Sequence, residues 1–500
     1  MSAKAIMIQG TASSAGKSTI AAGLCRILRQ DGWSVAPFKA QNMALNSFVT
    51  REGLEMGRAQ VVQAEAAGIE PCCDMNPVLL KPMGHRTSQV IVQGEVWRDM
   101  DAREYYGYKK TFQPKIIESF ERLAARHDII VIEGAGSPAE INLRENDVVN
   151  MAMAKAAAAP VLLAGDIDRG GVFAALAGTL LLLTEDERRF VKGLLINKFR
   201  GDKTLLENGL LQIEGITARP VLGVVPWLDL DLDDEDSLSE RLASRSGGGE
   251  PAAAVVRFPH IANFTDFNAL SRAVPVRYVS AASGLSGARL IILPGTKNTA
   301  GDLAWLFETG LAAEIQRMAR TGTPVFGICG GFQMLGGTIA DPAGVESPAG
   351  SVTGALGLLP VDTVFCENKT RTQVSGRIAP LSGPLAALSG LPVEGYELHM
   401  GTSAPPSAPS GGGKPFAELV DTVHGAAKLD GCFLGAVYGT YVHGVLDSAA
   451  VVAALAQVCG GADGAGGAGA YKEAQYEKLA AHLRANIDMP AVYRIIEEGV

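Results

Sequence analysis

Near its start the chain runs through three elements in immediate succession. Ala5 to Gln9 is an apolar run. Gly10 to Thr19 (GTASSAGKST) is a small, polar loop, and Ile20 to Gln30 carries apolar residues at helical spacing until Asp31-Gly32 stops it. A buried strand feeding through a glycine-bounded loop directly into a helix is the opening of a parallel α/β sheet, because parallel strands need a crossover and a helix usually supplies it. In such a loop the backbone N–H groups and the helix N-terminus suit phosphate oxygens. Lys17 is placed to reach the outer phosphates and Ser18 to offer its hydroxyl to Mg²⁺. Gly10, Thr11, Gly16, Lys17, Ser18 and Thr19 are therefore the expected nucleotide contacts, the alternative being a glycine-rich turn that binds nothing.

Further strand tips follow. In open parallel sheets ligands collect at the carboxyl ends of the strands. Ser34 to Phe38 ends at Lys39, a candidate for a phosphate or carboxylate, and then at Gln41, Asn42 and Asn46, whose neutral amides suit the polar groups of a large substrate. An asparagine-rich turn bonding its own backbone is the competing reading. The β-branched run Asp128 to Ile132 ends at Glu133, placed to bind Mg²⁺ directly or through water, or else to cap a helix. Pro160 to Ala164 leads to Asp168 and Arg169, a substrate or interface loop or a solvated turn. Leu194 to Ile196 leads to Asn197, where adenine contacts often sit in nucleotide-binding sheets. Pro220 to Val225 is the last strand of this domain.

An acidic stretch and then a Ser/Gly/Ala-rich one, together 229–251, read as a linker between a first domain (1–228) and a second (252–458). In the second, Val325 to Ile328 ends at Cys329-Gly330-Gly331, and Phe332 onward suits a helix. Small neighbours allow the sharp turn that holds a nucleophile clear of the backbone, where the following N–H groups favour a thiolate and an oxyanion. A buried structural cysteine before a loose turn would look the same. Leu290 to Leu293 ends at Pro294-Gly295, so the Gly295 and Gly330 N–H groups are candidates for an oxyanion hole. The strand-like run Ala436 to Val442 ends at His443, the preferred base for the thiol, with His399 its chief rival. Residues 459–500 read as a Gly-rich linker and a terminal helical segment.

Composition narrows the classes. Hydrophobic residues make up 47% and aromatics only 6%, which fits an α/β enzyme with large cores. A net charge of −9 without a basic cluster argues against nucleic acid and anionic membrane as partners. The longest apolar stretch, Val172 to Leu183, is too short for a membrane span. Seven cysteines with no zinc spacing, and no visible leader, fit reduced thiols in a cytoplasmic protein.

The combination of motifs resembles the cobyric acid synthases, dethiobiotin-synthetase-like ATPases fused to a class I glutamine amidotransferase domain. The stretches that carry the likeness include Gln41-Asn42-Met43, Asn76 to Pro82, Glu133 to Glu140, Asp166 to Phe173, Asn197 to Asp202, Pro294 to Thr299, the Cys329 elbow, Gly395 to Gly401 and Gly439 to Gly444. The phosphate loop, with five residues between Gly10 and Gly16-Lys17 rather than four, also has the dethiobiotin synthetase form.

The likeness implies two α/β domains, each a mostly parallel sheet flanked by helices, the first P-loop NTPase-like. It implies ATP and Mg²⁺, glutamine as nitrogen donor, and a corrinoid substrate. The b, d, e and g carboxylates of adenosylcobyrinic acid a,c-diamide would become amides through acyl phosphates. It puts Gln333 with Gly295 and Gly330 at the glutamine site. The alternatives are cobyrinic acid a,c-diamide synthase, another glutamine-dependent polycarboxylate amidase, or a non-catalytic binding protein. His443 is followed by Gly444-Val445 and not by the Pro-Glu common in class I amidotransferases, so a Cys-His dyad is expected, with nothing identified to orient the imidazole.

Overall fold

The computed structural model describes residues 3–83, 87–233, 252–404, 412–461 and 468–500. Most of the stretch expected as a linker (234–251) and part of the Gly-rich linker expected after 459 (462–467), with 405–411, lie outside the described residues. The chain forms two compact units that do not follow sequence order. The first comprises Met1–Met43, Met56–Asp233 and Tyr471–Val500, and the second Ala44–Glu55 and Asp234–Ala470.

The first unit is built on a six-stranded sheet in the order Val221–Pro226, Val191–Phe199, Val161–Asp166, Lys4–Gly10, Ile129–Glu133, Val35–Phe38. Every neighbouring pair is parallel. The four inner strands are largely buried, which explains their near-continuous runs of Ile, Leu and Val. A smaller four-stranded sheet, Gln41–Met43, Val78–Pro82, Thr87–Val92 and Glu95–Asp101, stands after the Val35–Phe38 strand.

The terminal segment is part of this unit's core. Tyr476, Leu479, Leu483, Met489, Val492 and Ile496 are buried in one cluster with Leu24, Ile27 and Leu28 of helix Lys17–Gln30. Gly23 permits the close approach, since a Cβ there would stand 2.3 Å from Leu483 Cδ1. Arg26 closes the same seam, donating to Glu477 Oε1 at 2.6 Å and Glu473 Oε2 at 2.5 Å. Residues up to Asp233 also belong to this unit. Leu228, Leu230 and Leu232 pack on the same core, and Asp233 accepts from Arg58 at 2.8 Å, so the acidic run opens as packed chain.

The second unit contains a six-stranded sheet in the order Val276–Val279, Ala253–Val256, Leu290–Leu293, Val325–Ile328, Val437–Thr440, Cys432–Leu434. All pairs are parallel except the last. Beside it lies a mainly antiparallel sheet organised on the long strands Asp362–Ile378 and Pro392–Ala404. Among the described residues no helix is long and apolar enough to cross a membrane, and all seven cysteines are free.

The packing of the terminal helices gives a first prediction. Leu483→Ala opens a cavity against Gly23 and should cost about 2–5 kcal/mol. Three of the four tryptophans, Trp33, Trp97 and Trp227, lie in the first unit, so urea titration followed by tryptophan fluorescence reports chiefly on it. An unchanged midpoint would show that the terminal helices are not part of that unit's core.

Candidate functional site

In the first unit the carboxyl ends of the sheet meet around the loop after Lys4–Gly10. Gly16 takes a left-handed conformation (φ 89°) at the N-terminus of helix Lys17–Gln30. Lys17 Nζ is drawn back over the loop, donating to Ala12 O at 2.9 Å, Ser13 O at 3.1 Å and, across the sheet, Gly136 O at 3.0 Å. Thr11 N–H donates to Ala164 O at 2.9 Å, tying the loop to the neighbouring strand. Thr19 lies exposed in the first turn of the helix, and Gly10 is closely packed beneath Lys17.

Glu133 is fully buried at its strand tip, and three side chains converge on it. Ser18 Oγ and Lys39 Nζ both donate to Oε1 at 2.8 Å, and Gln63 Nε2 donates to Oε2 at 2.5 Å. An alkoxyl and a carboxylate oxygen side by side at a phosphate loop are the donor types a hard divalent cation takes. The Lys39 ammonium on the same carboxylate shows that the spot is built for positive charge. Ser18 and Glu133 therefore fit Mg²⁺. Lys39 was expected to face a substrate anion, and here it is paired with the Glu133 carboxylate.

Other expected residues divide. Gln41 and Asn42 stand on the short strand after Lys39. Gln41 Oε1 accepts from Tyr105 at 2.6 Å and Asn42 donates to Gln60 at 3.1 Å. Asn46 is separated from them, lying buried in the second unit. Asn197 was read as an adenine contact. Its Nδ2 donates to Ala15 O at 2.9 Å and stands where a Cβ on Gly16 would be, so it props the phosphate loop. Asp168 pairs with Arg200 at 2.9 Å, and exposed Arg169 lies 3.9 Å from Asp166. Trp227 went unnoticed in the sequence. The Arg200 guanidinium lies over its ring at 4.0 Å, forming a flat face beside the loop's far end.

In the second unit the turn at Cys329 is strained. Its φ of 54° and ψ of −113° are rare for a residue with a side chain. The backbone is held there by close approaches that only glycine allows. A Cβ on Gly331 would meet Leu293 O at 2.0 Å, and one on Gly327 would meet Gly331 O at 2.7 Å. The helix that follows, Gly330–Leu335, has six residues, so local N–H groups matter more than its dipole.

Four parallel strands deliver the rest. Cys329 follows Val325–Ile328, and its N–H donates to Thr440 O at 2.8 Å on the neighbouring strand, three residues before His443. The Cys329 side chain lies close enough to the His443 ring to raise its pKa. Gly295, after Leu290–Leu293, is packed under that ring, since a Cβ there would lie 3.0 Å from His443 Cε1. Gly330 packs against Thr296, so the two candidate oxyanion glycines flank the same corner.

The sequence identified nothing to orient the imidazole, and in the structure a carboxylate stands against it. His443 Nδ1 lies 2.8 Å from Asp266 Oδ2, both groups buried. Asp266 comes from the 3₁₀ turn Phe264–Phe267, after strand Ala253–Val256, 177 residues before the histidine. A search downstream of the histidine could not have found it. Burial is the largest single influence on the imidazole and pulls its pKa down, but the Asp266 carboxylate and the Cys329 sulfur together push it from 6.5 up to about 10.

The remaining groups form the wall. Cys329 Sγ is 3.4 Å from Leu398 O. His399 is turned from the thiol, with Nδ1 at 2.9 Å from Gly401 O and its ring stacked on Tyr441 at 3.7 Å. Gln333 is engaged at both ends. Its Nε2 donates to Met400 O at 2.9 Å and Tyr441 Oη at 3.3 Å, and its Oε1 accepts from Thr299 at 3.3 Å. Its amide braces the site wall.

A protonated His443 beside Asp266 adds stability that is full below pH 6.5 and lost as the pH rises through about 10. Asp266→Asn should remove most of that dependence. It should also slow alkylation of Cys329 by iodoacetamide at neutral pH, because the imidazole that assists the thiol loses the carboxylate that orients it. Alkylation rates measured against pH for both proteins check this, and superimposable profiles would rule out an orienting role for Asp266.

Comparison with known proteins agrees with both halves. Residues 6–237 match the CobQ/CobB/MinD/ParA nucleotide binding domain, and residues 252–451 match the CobB/CobQ-like glutamine amidotransferase domain. The cobyric acid synthase of Ruminiclostridium cellulolyticum is 51% identical over 507 residues, covering 100% of this chain and 98% of its own. That of Citrobacter koseri is 51% identical over 512 residues, covering 99% of each. That of Lachnoclostridium phytofermentans is 50% identical over 518 residues, covering 100% of each. With half of its residues shared along the full length of such relatives, the chain belongs to the cobyric acid synthase family.

Proposed function

We propose that the chain makes cobyric acid, amidating the b, d, e and g carboxylates of adenosylcobyrinic acid a,c-diamide with nitrogen from glutamine and activation by ATP. The observation that carries this is the presence in one chain of a phosphate loop facing a buried acid and a strained Cys-His-Asp triad, in a sequence aligned end to end with curated cobyric acid synthases.

The second unit releases ammonia. The Cys329 thiolate attacks the glutamine side-chain carbonyl carbon, and the negative charge on oxygen is taken up by N–H donors, for which Gly295 and Gly330 are placed. His443, held in orientation by Asp266, gives its proton to the departing amine, so the C–N bond breaks and ammonia leaves. His443 then takes a proton from water as the water attacks the thioester. Glutamate is released and the thiol restored.

The first unit activates the acceptor. A carboxylate is a poor electrophile, so one of its oxygens attacks the terminal phosphorus of ATP, expelling ADP and leaving an acyl phosphate. The loop N–H groups and Lys17 stabilise charge on the transferring group. Ser18 and Glu133 would hold Mg²⁺, which when bound would offset phosphate charge. Ammonia attacks the acyl carbon, phosphate leaves, and a proton is lost to give the amide. The Trp227–Arg200 face and the prop at Asn197 suit a purine above the loop.

Incubation with cobyrinic acid a,c-diamide, ATP, Mg²⁺ and glutamine should give a product about four mass units lighter, through four steps of about one unit each. No mass change would overturn the assignment. Cys329→Ala should abolish glutamine use while keeping activity with added ammonia. Lys17→Ala should lower both by about 10² or more, since it touches the transferring phosphoryl.

A further inference from the structure

Large apolar side chains of the first unit lie in solvent on three separate segments. Met43 is 58% exposed, Ile141 57% and Trp97 44%, and Leu143 and Tyr108 are nearly as open. Trp97 belongs to the edge strand Glu95–Asp101, on which Glu95 to Asp99 are all exposed. Tyr108 ends the helix Ala102–Tyr108, which carries three tyrosines and has no buried residue. So short a helix is normally held by burying one face, and this one keeps its rings at the surface.

The three segments are tied into one patch. Tyr105 Oη donates to Gln41 Oε1 at 2.6 Å, two residues before Met43. The Tyr105 ring stacks on Phe112 at 6.1 Å, and Phe112 meets Trp97 edge-on at 5.1 Å. Tyr106 Oη donates to Asn142 O at 3.2 Å, between Ile141 and Leu143. The small sheet agrees, since Gln41 stands opposite Val78, Val78 opposite Val92 and Val92 opposite Glu95, which puts Trp97 at the Gln41 end. Two of the segments start at the phosphate site. Lys39, two residues before Gln41, donates to Glu133, and Gly136 O, five residues before Ile141, accepts from Lys17.

The patch also holds a cation. The Arg98 guanidinium lies over the Trp97 ring at 4.8 Å and over the Tyr108 ring at 4.7 Å. It pairs with Glu104 at 2.7 Å, both side chains open to water, and a surface pair of that kind is cheaply exchanged for another carboxylate. An exposed apolar patch of this extent marks a binding surface. Its chemistry fits a flat ring system with apolar faces and carboxylate arms at its edge. Glutamine and ATP lack that combination, and the corrinoid acceptor has it. One arm must reach the terminal phosphate beside Lys17, so the ring itself has to rest just outside the phosphate loop.

We infer that Met43, Trp97, Arg98, Tyr108, Ile141 and Leu143 form a shelf that holds the corrinoid ring, with Arg98 on a carboxylate arm away from the one being activated. This rests on the reading of the first unit as the site of amidation.

The test uses the full-length protein with added ammonia as nitrogen donor, which takes Cys329 out of the measurement. Amidation rates are measured against cobyrinic acid a,c-diamide and, separately, against ATP. Trp97→Ala and Ile141→Ser should each raise KM for the corrinoid by about tenfold, the scale of one apolar side chain removed from a ligand contact. KM for ATP and kcat should stay within about twofold. Arg98→Gln should raise the corrinoid KM and weaken its dependence on salt. Met43 and Ile141 are exposed, so Met43→Ser and Ile141→Ser carry the test should Trp97→Ala fold poorly.

An unmoved corrinoid KM in Met43→Ser, Ile141→Ser and Arg98→Gln would overturn the shelf, as would a fall in kcat alone. A changed oligomeric state with the corrinoid KM unmoved would overturn it too and give the patch to a protein contact. Failure of the amidation reading looks different, because the unmodified protein would then leave the corrinoid unchanged.

Discussion

The hydrogen bond between His443 and Asp266 is the contact on which the second unit's chemistry depends. It sets the imidazole's tautomer and ring plane, and with the sulfur it keeps the ring protonated against the pull of burial. A buried imidazolium is tolerable only because a carboxylate stands on one side and the sulfur on the other. The surrounding architecture serves that arrangement. Successive strands of one parallel sheet each deliver one component beyond their carboxyl ends, and Cys329 sits in a strained turn at one of them. The first unit repeats the same logic, with the phosphate loop, Glu133, Lys39 and Asn197 all at carboxyl ends of a second parallel sheet.

Much of this was legible in the sequence, for a local reason. A strand that runs into a glycine loop and a helix, or into a cysteine and two glycines, writes its backbone path in adjacent residues, so the strand-tip positions of Lys17, Ser18, Glu133, Cys329 and His443 could be read one motif at a time. What escaped had no local signature. Asp266 sits in the turn Phe264–Phe267, and only the ordering of strands in the sheet brings it to His443. Asn197 looked like a ligand contact because of its strand-tip position, yet position alone does not say whether an amide faces a base or a neighbouring loop. Gln333 and Lys39 teach the same lesson. Each is a polar group in a site, and each has protein partners of its own.

The partition of the chain was the least legible part. The acidic run after Leu228 has the composition of a linker, but its alternating leucines pack on the first core before the described chain stops at Asp233. The terminal helices read as an appendage, although Gly23, small where a helix face would otherwise carry a side chain, is the mark of something packed against it. The excursion at Ala44–Glu55 gave no warning, since a polar asparagine-rich stretch between two strands resembles any loop.

Tyr471–Val500 has a consequence for how the protein comes into being. A ribosome delivers the chain from the amino end, and the first unit's core requires side chains that emerge after those of the second unit. The second unit has every one of its residues available by Ala470, including its early-made piece, so it can be finished while the other is still open along the Gly23 seam. The half made first in sequence is thus completed second. Until Tyr471–Val500 is made, the face of helix Lys17–Gln30 that carries Leu24, Ile27 and Leu28 lacks part of its cover.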